Sequence, residues 1–402
     1  MFNSLSLKVI IFGFIFTFFS SFGQSFFLGI FNESIRNELF ISHGQFGSIY
    51  ASATLLSSFV LIWLGKKIDD INISKFAFLV ILLLSFSCFF FSKISSITLL
   101  FISIFFMRFS GQGMMSLTAT TTISRYFTKS RGKALSTGWF GLSAAEFILP
   151  VLMIYLLIKI DWRTIWVYIS LLVLIILPVI SFYLLKNLNF DSREQTSETI
   201  IKDQNIKSWK RSDVLRDYRF YIICMNMLAM PWIATGVFVY QSFILSSKGW
   251  GPYIIAQSFM IYSITSVITL FIAGILVDKF TSRKIIVYMN IPFLLASFVL
   301  YFFESPFSSF VFFSLLGISN GFANVLGSST WAEIYGVKFI GSIKSLTTAL
   351  MVFATAFGTA LFGFLIDKGL SIEQISIVSG SYMVVSIIAV FLIRKKLNPV
   401  FL

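Results

Sequence analysis

The sequence predicts an all-α membrane protein in which twelve transmembrane helices form two pseudo-symmetric six-helix bundles. Of the 402 residues, 57% are hydrophobic and 12% are charged, and the mean hydropathy of +0.89 is far above that of water-soluble domains. Twelve apolar runs approach the roughly 20 residues that a bilayer-spanning helix needs. One long polar connection divides them into six and six. The predicted organisation is an N-terminal bundle at 1–185, a cytoplasmic linker at 186–218 and a C-terminal bundle at 219–402.

The predicted spans are separated by short connections, apart from the linker. The first run is too long for a signal-peptide core and lacks a small-residue cleavage site, so we expect it to be retained as a helix. The spans are predicted at 7–30, 45–64, 76–92, 97–122, 134–158, 164–185, 220–245, 253–276, 285–303, 307–331, 345–366 and 375–393.

Lysine and arginine are concentrated in every second connection. Most of the 31 such residues fall on the side that holds both termini and the linker, and the positive-inside rule makes that side cytoplasmic. The net charge of +14 is therefore a topological signal, and no nucleic-acid surface is expected. We predict a monomeric, multi-pass protein of the bacterial inner (cytoplasmic) membrane. Its expected partners are the lipid bilayer, a small-molecule substrate and a proton or other coupling ion.

No pattern in the sequence favours an enzyme, a metal site or a cofactor. Cys88 and Cys224 both lie in apolar runs, which argues against a disulfide framework or a cysteine metal site. The single histidine, His43, falls in a polar connection, and we assign it no role. The predicted spans contain no histidine, no paired carboxylates and no Gly-Lys-Ser phosphate loop. A transporter-shaped sensor is less well excluded, although a linker of about 33 residues is short for a signalling domain.

Residues in the two halves recur at a fixed spacing. A shift of 209 residues brings the turns after the second and fourth predicted spans onto those after the eighth and tenth. Two parallel six-helix halves joined by a polar loop are the architecture of one class of transporter. The aligned pairs are Gly65 with Gly274, Asp69 with Asp278, Lys75 with Lys284, Tyr126 with Tyr335 and Gly132 with Gly341.

These turns resemble the Gly-x-x-x-Asp-Arg-x-x-x-Arg-Lys motif of the major facilitator superfamily. The second copy, from Gly274 to Lys284, is well kept, whereas in the first copy Asp70 stands where a basic residue is usual. The resemblance covers essentially the whole chain. It implies secondary transport by alternating access, a solute site at mid-membrane between the halves, and residues that gate the change of conformation. Those gating residues are Gly65, Asp69, Gly274, Asp278, Arg283, Arg125 and Glu333.

Two segments resemble particular patterns within that family. Arg108, Gly111 and Gly113 resemble the Arg-x-x-x-Gly-x-Gly pattern of its fourth helix, although the first glycine is one position early. The segment at 125–134 is similar to the Tyr-Phe-x-Lys-Arg segment of the monocarboxylate and oxalate/formate branch. That branch often has an arginine in its eighth helix, which the run at 253–276 lacks. The resemblance implies a small organic anion such as a monocarboxylate as substrate. Export of drugs or other amphiphiles by the same fold is the alternative.

Arg108 and Glu146 are the only charged residues in the middle of predicted spans. A charge at mid-bilayer costs roughly 2.5–3.5 kcal/mol even on the most lenient scale, so each needs a physical reason. Arg108 with Gln112 one turn later can offer an anion a bidentate donor beside an amide, or Arg108 can bond backbone carbonyls and lock helix packing. Glu146 is predicted to couple transport to protons. The alternatives are a permanent pair with Arg108 and a neutral, hydrogen-bonded carboxyl group.

Polar and aromatic residues in the first, fourth, seventh and tenth predicted spans complete the predicted substrate site. The resemblance implies that these four spans line the central cavity. Any single Asn or Gln among them is better explained by an interhelical hydrogen bond, whereas the whole set favours a site. The predicted substrate-binding residues are Arg108, Gln112, Gln24, Trp232, Tyr240, Gln241, Asn320 and Asn324.

Overall fold

A computed structural model confirms the predicted fold class. It describes residues 4–65, 67–127, 131–186, 209–336 and 339–398. Within these ranges twelve helices are long and apolar enough to cross a membrane. In chain order they are α1 Leu5–Gly23, α2 His43–Leu64, α3 Ile73–Phe91, α4 Ile97–Tyr126, α5 Ala134–Leu157, α6 Trp162–Leu185, α7 Tyr218–Val239, α8 Pro252–Phe280, α9 Ser282–Phe302, α10 Pro306–Tyr335, α11 Ile343–Asp367 and α12 Ile372–Lys396.

Contacts between residues divide the chain into two compact units. Unit 1 comprises Met1–Ser42 and Ser48–Lys202, and it contains α1, α3 to α6 and most of α2. Unit 2 comprises His43–Gly47 and Asp203–Leu402, and it contains α7 to α12 together with the first residues of α2.

Unit 1 is built on two closely packed helix pairs, α1 with α5 and α3 with α6. In the first pair, Thr17 Oγ1 donates a hydrogen bond of 2.6 Å to the carbonyl oxygen of Gly138. In the second pair, Ser85 and Ser170 bond reciprocally, because each hydroxyl donates to the other's carbonyl oxygen at 3.1 and 2.8 Å. Small and polar residues thus hold these helices together, as expected where lipid removes the hydrophobic drive for helix association.

Unit 2 is built on α8 with α10 and on α9 with α10 and α12. Gly317 and Gly321 lie on the face of α10 that meets α8. A methyl group on Gly317 would lie 2.5 Å from the carbonyl oxygen of Tyr262, and one on Gly321 would lie 2.7 Å from that of Ser266. Only glycine fits at these two positions, so the Gly-x-x-x-Gly face sets how closely the two helices approach.

α1 ends earlier than the predicted limit of residue 30. Its last turn, Ser21–Gly23, is a 3-10 helix, and Gln24 is extended with φ −85° and ψ 153°. A short separate helix, Ser25–Leu28, follows. This break leaves the last carbonyl groups of α1 without the intrahelical partners that a continuous helix would provide.

α4 departs from α-helical geometry near its middle. Residues Arg108–Met115 form a π-helical segment. Ser110 Oγ donates a 2.7 Å hydrogen bond to the carbonyl oxygen of Phe106 one turn earlier, a pattern that bends helices. π-helical turns within α-helices occur frequently at functional sites.

α7 contains a similar irregularity and also ends early. Met230–Ala234 is π-helical, and its Pro231 has no N–H to donate to the preceding turn. The predicted seventh span reaches residue 245, but Tyr240 interrupts the helix and a separate helix, Gln241–Ser247, follows. Irregular backbone at membrane depth is tolerated where other groups satisfy it.

Candidate functional site

The break in α1 lies directly against the π-helical segment of α4. A methyl group on Gly23 would lie 2.5 Å from the backbone nitrogen of Gln112, and one on Gly111 would lie 2.7 Å from the backbone nitrogen of Gly23. The two backbones therefore touch without intervening side chains. This contact requires glycine at both positions, and it brings the carbonyl group of Gly23 within reach of Arg108.

Arg108 is buried at this contact, with 2% of its surface exposed. Its Nη1 donates to the carbonyl oxygen of Gly23 at 3.0 Å and to Ser25 Oγ at 3.3 Å. The guanidinium carbon lies 5.4 Å from the centre of the Tyr50 ring, within the range of a cation–π interaction. The Tyr50 hydroxyl donates to the same Ser25 Oγ at 3.1 Å. Arg108 thus neutralises the carbonyl end of the broken helix.

One buried nitrogen of Arg108 has no partner in the described part of the chain. Nε is buried and has no hydrogen-bond partner among the described residues, and an orphaned donor on a buried cation is expensive. The packing role that Nη1 performs therefore does not account for the whole guanidinium group. A cation held rigidly on one edge, with a donor free on another, is suited to receive an anion.

Glu146 is the second buried charged residue of unit 1, with 9% of its surface exposed. Among the described residues its carboxyl group has neither a hydrogen bond nor an ion pair, and it does not pair with Arg108. A permanent Arg108–Glu146 pair is therefore not present in this structure.

Two predicted amides of unit 1 flank the same region. Gln24 is the extended residue at the break itself, and Gln112 lies within the π-helical segment; both are half-buried. Sequence reasoning overlooked Ser25 and Tyr50, which complete the surroundings of Arg108. The small and polar triplet Gly23-Gln24-Ser25, within a run rich in phenylalanine, is the signal that could have revealed both the break and Ser25.

In unit 2 the predicted asparagines differ in their surroundings. Asn320 Nδ2 donates to Ser266 Oγ at 2.8 Å, which joins α10 to α8. Asn324, one turn later, is exposed. Trp232 is buried, with ring centres of Phe357 at 5.9 Å and Tyr382 at 5.2 Å, so its indole serves to pack α7.

Tyr240 and Gln241 are buried and bonded at the break after α7. The Tyr240 hydroxyl lies 2.9 Å from the carbonyl oxygen of His43 and 3.1 Å from that of Thr359, so its single proton is shared between two acceptors. Gln241 Nε2 donates to the carbonyl oxygen of Phe238 at 2.9 Å. Both side chains satisfy backbone groups near the break, and neither is open to a solute in this structure.

His43 and Asp367 take part in unit 2 although sequence reasoning gave neither of them a role. His43 begins α2, and its ring centre lies 5.7 Å from that of Tyr240. The backbone nitrogen of Gly44 donates to Asp367 Oδ2 at 2.8 Å. A carboxylate at the N-terminus of a helix is stabilised by the helix dipole and by the free N–H groups, so the last residue of α11 caps α2.

Comparisons with known proteins decide the family. Residues 13–261 and 221–400 match the profile of the Major Facilitator Superfamily. The chain belongs to this superfamily. The match and the twelve helices indicate a multi-pass membrane transporter and not an enzyme. No curated protein sequence matches the chain.

Solved structures of superfamily transporters share the fold. The bacterial homolog of the human lysosomal transporter Spinster, in an inward-facing and unoccupied conformation, has a TM-score of 0.73 and 12% identity, covering 99% of this chain and 98% of that chain. The nucleoside transporter NupG has a TM-score of 0.74 and 15% identity, covering 98% of this chain and 100% of that chain. At these identities the likeness concerns the fold alone.

The turn between α8 and α9 holds the better copy of the superfamily motif. Glu333 Oε2 accepts from the Ser282 hydroxyl and from the backbone nitrogen of Arg283 at 3.2 Å, and its Oε1 lies 3.5 Å from Arg283 Nε. Glu333 therefore caps the start of α9 and pairs with Arg283. Thr281 has a φ of 74°, a strained conformation for a β-branched residue. Asp278 is exposed.

The first copy of the motif is only partly described. Arg125 Nη2 donates to the carbonyl oxygen of Ile68 at 3.1 Å, which ties the end of α4 to the short helix Lys67–Asp70. Gly65 follows α2, and a methyl group there would lie 3.0 Å from a Leu117 methyl carbon. Gly274, its counterpart, has nothing within 4 Å of an added methyl group. The side chain of Asp69 lies outside the described part of the structure.

A metal centre is not formed by the residues that the structure describes. No group of three or more His, Cys, Asp or Glu side chains among them could hold a metal ion. Cys88 and Cys224 are both buried and free.

Gly111→Ala is expected to lower the thermal stability of the purified protein. The added methyl group would lie 2.7 Å from the backbone nitrogen of Gly23, and relieving such an overlap costs about 1–3 kcal/mol. The melting temperature in detergent measures the effect. Gly327→Ala in α10 is the matched control, because nothing lies within 4 Å of its added methyl group. A melting temperature of G111A equal to that of the wild type would contradict the close contact.

Proposed function

We propose that this superfamily member is a secondary active transporter that moves a small organic anion, such as a monocarboxylate, by alternating access. The observation that supports the substrate class is the state of Arg108: it is buried, held on one edge by Gly23 and Ser25, and free of any described partner at Nε. The coupling ion that we propose is the proton, exchanged at Glu146.

The chemistry of arginine favours a carboxylate substrate. Its guanidinium group is planar, permanently charged and able to donate two parallel hydrogen bonds, which matches the two oxygens of a carboxylate. Because Gly23 and Ser25 already fix Nη1, the group loses little conformational freedom when an anion arrives. Nε and the other guanidinium nitrogen, Nη2, form the edge that we assign to the substrate.

Neighbouring amides are proposed to complete recognition. Gln24 and Gln112 flank the Gly23–Gly111 contact and are half-buried, so each can supply one further N–H donor to an anion. The role in substrate binding predicted for Asn320, which lies in unit 2 and donates to Ser266 Oγ, stays a prediction. Trp232, Tyr240, Gln241 and Asn324 are given no direct contact with the solute in this proposal.

Glu146 is proposed to bind and release the coupled proton. A buried carboxyl group gains or loses a proton as its surroundings change, and no described residue fixes the group in one state. The absence of a pair with Arg108 leaves each group free for its own ligand.

The distribution of Lys and Arg supports an orientation in the bacterial inner membrane with both termini in the cytoplasm. A reporter enzyme that is active only in the cytoplasm, fused after Leu402, should be active in whole cells. The same reporter fused within the connection between α11 and α12, after Gly369, should be inactive. The opposite pair of results would reverse the orientation.

Substitution of Arg108 is expected to impair anion transport strongly. In proteoliposomes, Arg108→Gln should lower kcat/KM for the transported carboxylate about tenfold or more, because a hydrogen bond to a charged group contributes about 1.5–3 kcal/mol. Arg108→Lys should restore little of the lost kcat/KM, since an ammonium group lacks the two parallel N–H donors of a planar guanidinium group. Wild-type protein is first screened with acetate, lactate and oxalate, and with a lipophilic cation.

Arg394→Lys, at the exposed end of α12, is the control for loss of a guanidinium group elsewhere. Unchanged carboxylate transport by R108Q would contradict the anion proposal. Transport of the lipophilic cation and of no carboxylate would favour export of amphiphiles instead.

Glu146→Gln is expected to separate substrate movement from the proton gradient. Exchange of labelled for unlabelled substrate across the proteoliposome membrane should persist, because glutamine keeps the shape of the side chain. Uptake should no longer be accelerated by an inward proton gradient, because an amide does not titrate. Glu304→Gln, an exposed residue before α10, is the matched control. An E146Q variant that still responds fully to the gradient would remove Glu146 from the coupling role.

A further inference from the structure

A groove runs between α3 and α6 on the outer surface of unit 1, away from the surroundings of Arg108. Its volume is about 500 Å³. Its walls include Phe78 and Leu79 of α3 and Pro178, Ser181 and Phe182 of α6. Phe78 and Phe182 are exposed, at 47% and 69% of their surface. The groove is therefore apolar and lies on the surface of two helices that span the membrane.

The groove arises from the way in which α3 and α6 pack. The reciprocal Ser85–Ser170 bonds hold the helices together near their middle. The groove is lined by residues four to eleven positions before Ser85 on α3, or roughly 6–16 Å away at 1.5 Å per residue. There α6 contains Pro178, which removes a backbone hydrogen bond and bends a helix. The two helices are thus hydrogen bonded at one level, and the groove lies between them at another.

One polar group inside the groove lacks a partner. Ser181 lines the groove and is 6% exposed, and its buried Oγ has no hydrogen-bond partner among the described residues. A buried hydroxyl without a partner is unusual in a native structure and calls for a ligand or a water. A molecule with an oxygen-bearing region between an apolar chain and a charged head would satisfy it.

Positive charge collects at one end of the groove. Lys75 lies in the first turn of α3, lines the groove, and has no ion pair among the described residues. Lys186 ends α6. Lys8 of α1 lies over the ring of Tyr183 at 4.7 Å. This end of the groove therefore attracts an anion, and its apolar walls suit a hydrocarbon chain.

We propose that the groove binds one anionic phospholipid, with an acyl chain along Phe78, Leu79 and Phe182 and the headgroup phosphate at Lys75. The ester region of such a lipid places carbonyl oxygens between the acyl chain and the phosphate. These oxygens can accept a hydrogen bond from the Ser181 hydroxyl. The site is independent of Arg108 and of the transported solute.

Unit 2 offers a natural comparison. A second groove, of about 380 Å³, lies between α9 and α12, and it is lined by residues such as Phe298, Ser376 and Val385 but by no lysine or arginine. Because this groove is apolar but has no cation, it should accept an acyl chain with no preference for the charge of the lipid headgroup. The preference for an anionic headgroup is therefore assigned to the groove of unit 1 alone.

Lipid titration of the purified protein, followed by native mass spectrometry, tests the assignment. Phosphatidylglycerol and phosphatidylcholine with identical chains are compared. The wild type should bind its first molecule of phosphatidylglycerol more tightly than its first molecule of phosphatidylcholine. Lys75→Gln should lower the affinity for that phosphatidylglycerol molecule about fivefold, because one lysine near an anionic lipid contributes about 1 kcal/mol. Lys93→Gln, an exposed lysine beyond the other end of α3, makes the same charge change and should have no effect.

A second pair of variants tests the location. Leu79→Trp fills the groove of unit 1 and should remove the preferred phosphatidylglycerol, whereas Val385→Trp fills the groove of unit 2 and should leave it. Both residues are exposed, at 54% and 58%, so folding should be preserved. Equal phosphatidylglycerol affinity in K75Q and wild type, equal weakening by K75Q and K93Q, or retained binding in L79W would each overturn the proposal.

Discussion

The hydrogen bond from Arg108 to the carbonyl oxygen of Gly23 determines the arrangement of unit 1 around its irregular helices. The bond exists because α1 breaks at Gln24 and because glycine at positions 23 and 111 lets the broken end touch α4. Without the guanidinium group, the freed carbonyl would lie buried and unsatisfied, at a cost of about 1–3 kcal/mol. Without the break, a buried cation would have no oxygen at this position.

Both units contain irregular helices. In each unit a different side chain donates hydrogen bonds to backbone carbonyl groups near the break. In unit 1 the carbonyl end of α1 meets a charged donor, Arg108. In unit 2 the break after α7 is accompanied by the neutral hydroxyl of Tyr240, which reaches two backbone carbonyls. A hydroxyl has a single O–H donor, and the backbone carbonyls occupy it. A guanidinium group has five N–H donors and still has one available after binding the backbone. This difference is why we assign the anion to Arg108.

The sequence predicts those features that depend on local composition. The twelve spans and the two-fold organisation follow from runs of apolar residues and from a spaced repeat, and the structure confirms the fold class. The break in α1 is hidden because averaging over about 20 phenylalanine-rich residues masks three small or polar ones. The hydrogen-bond partners of Arg108 lie more than 80 positions away, and Asp367 lies 323 positions from Gly44. Such pairings depend on tertiary packing, which composition does not encode.

A structure of the protein with its transported carboxylate bound would test most directly whether Arg108 binds the substrate. We expect solute density within hydrogen-bonding distance of Arg108 Nε, with Nη1 still donating to the carbonyl oxygen of Gly23. Solute density elsewhere, with all nitrogens of Arg108 bonded to backbone carbonyl groups, would show that the residue only supports the broken helix.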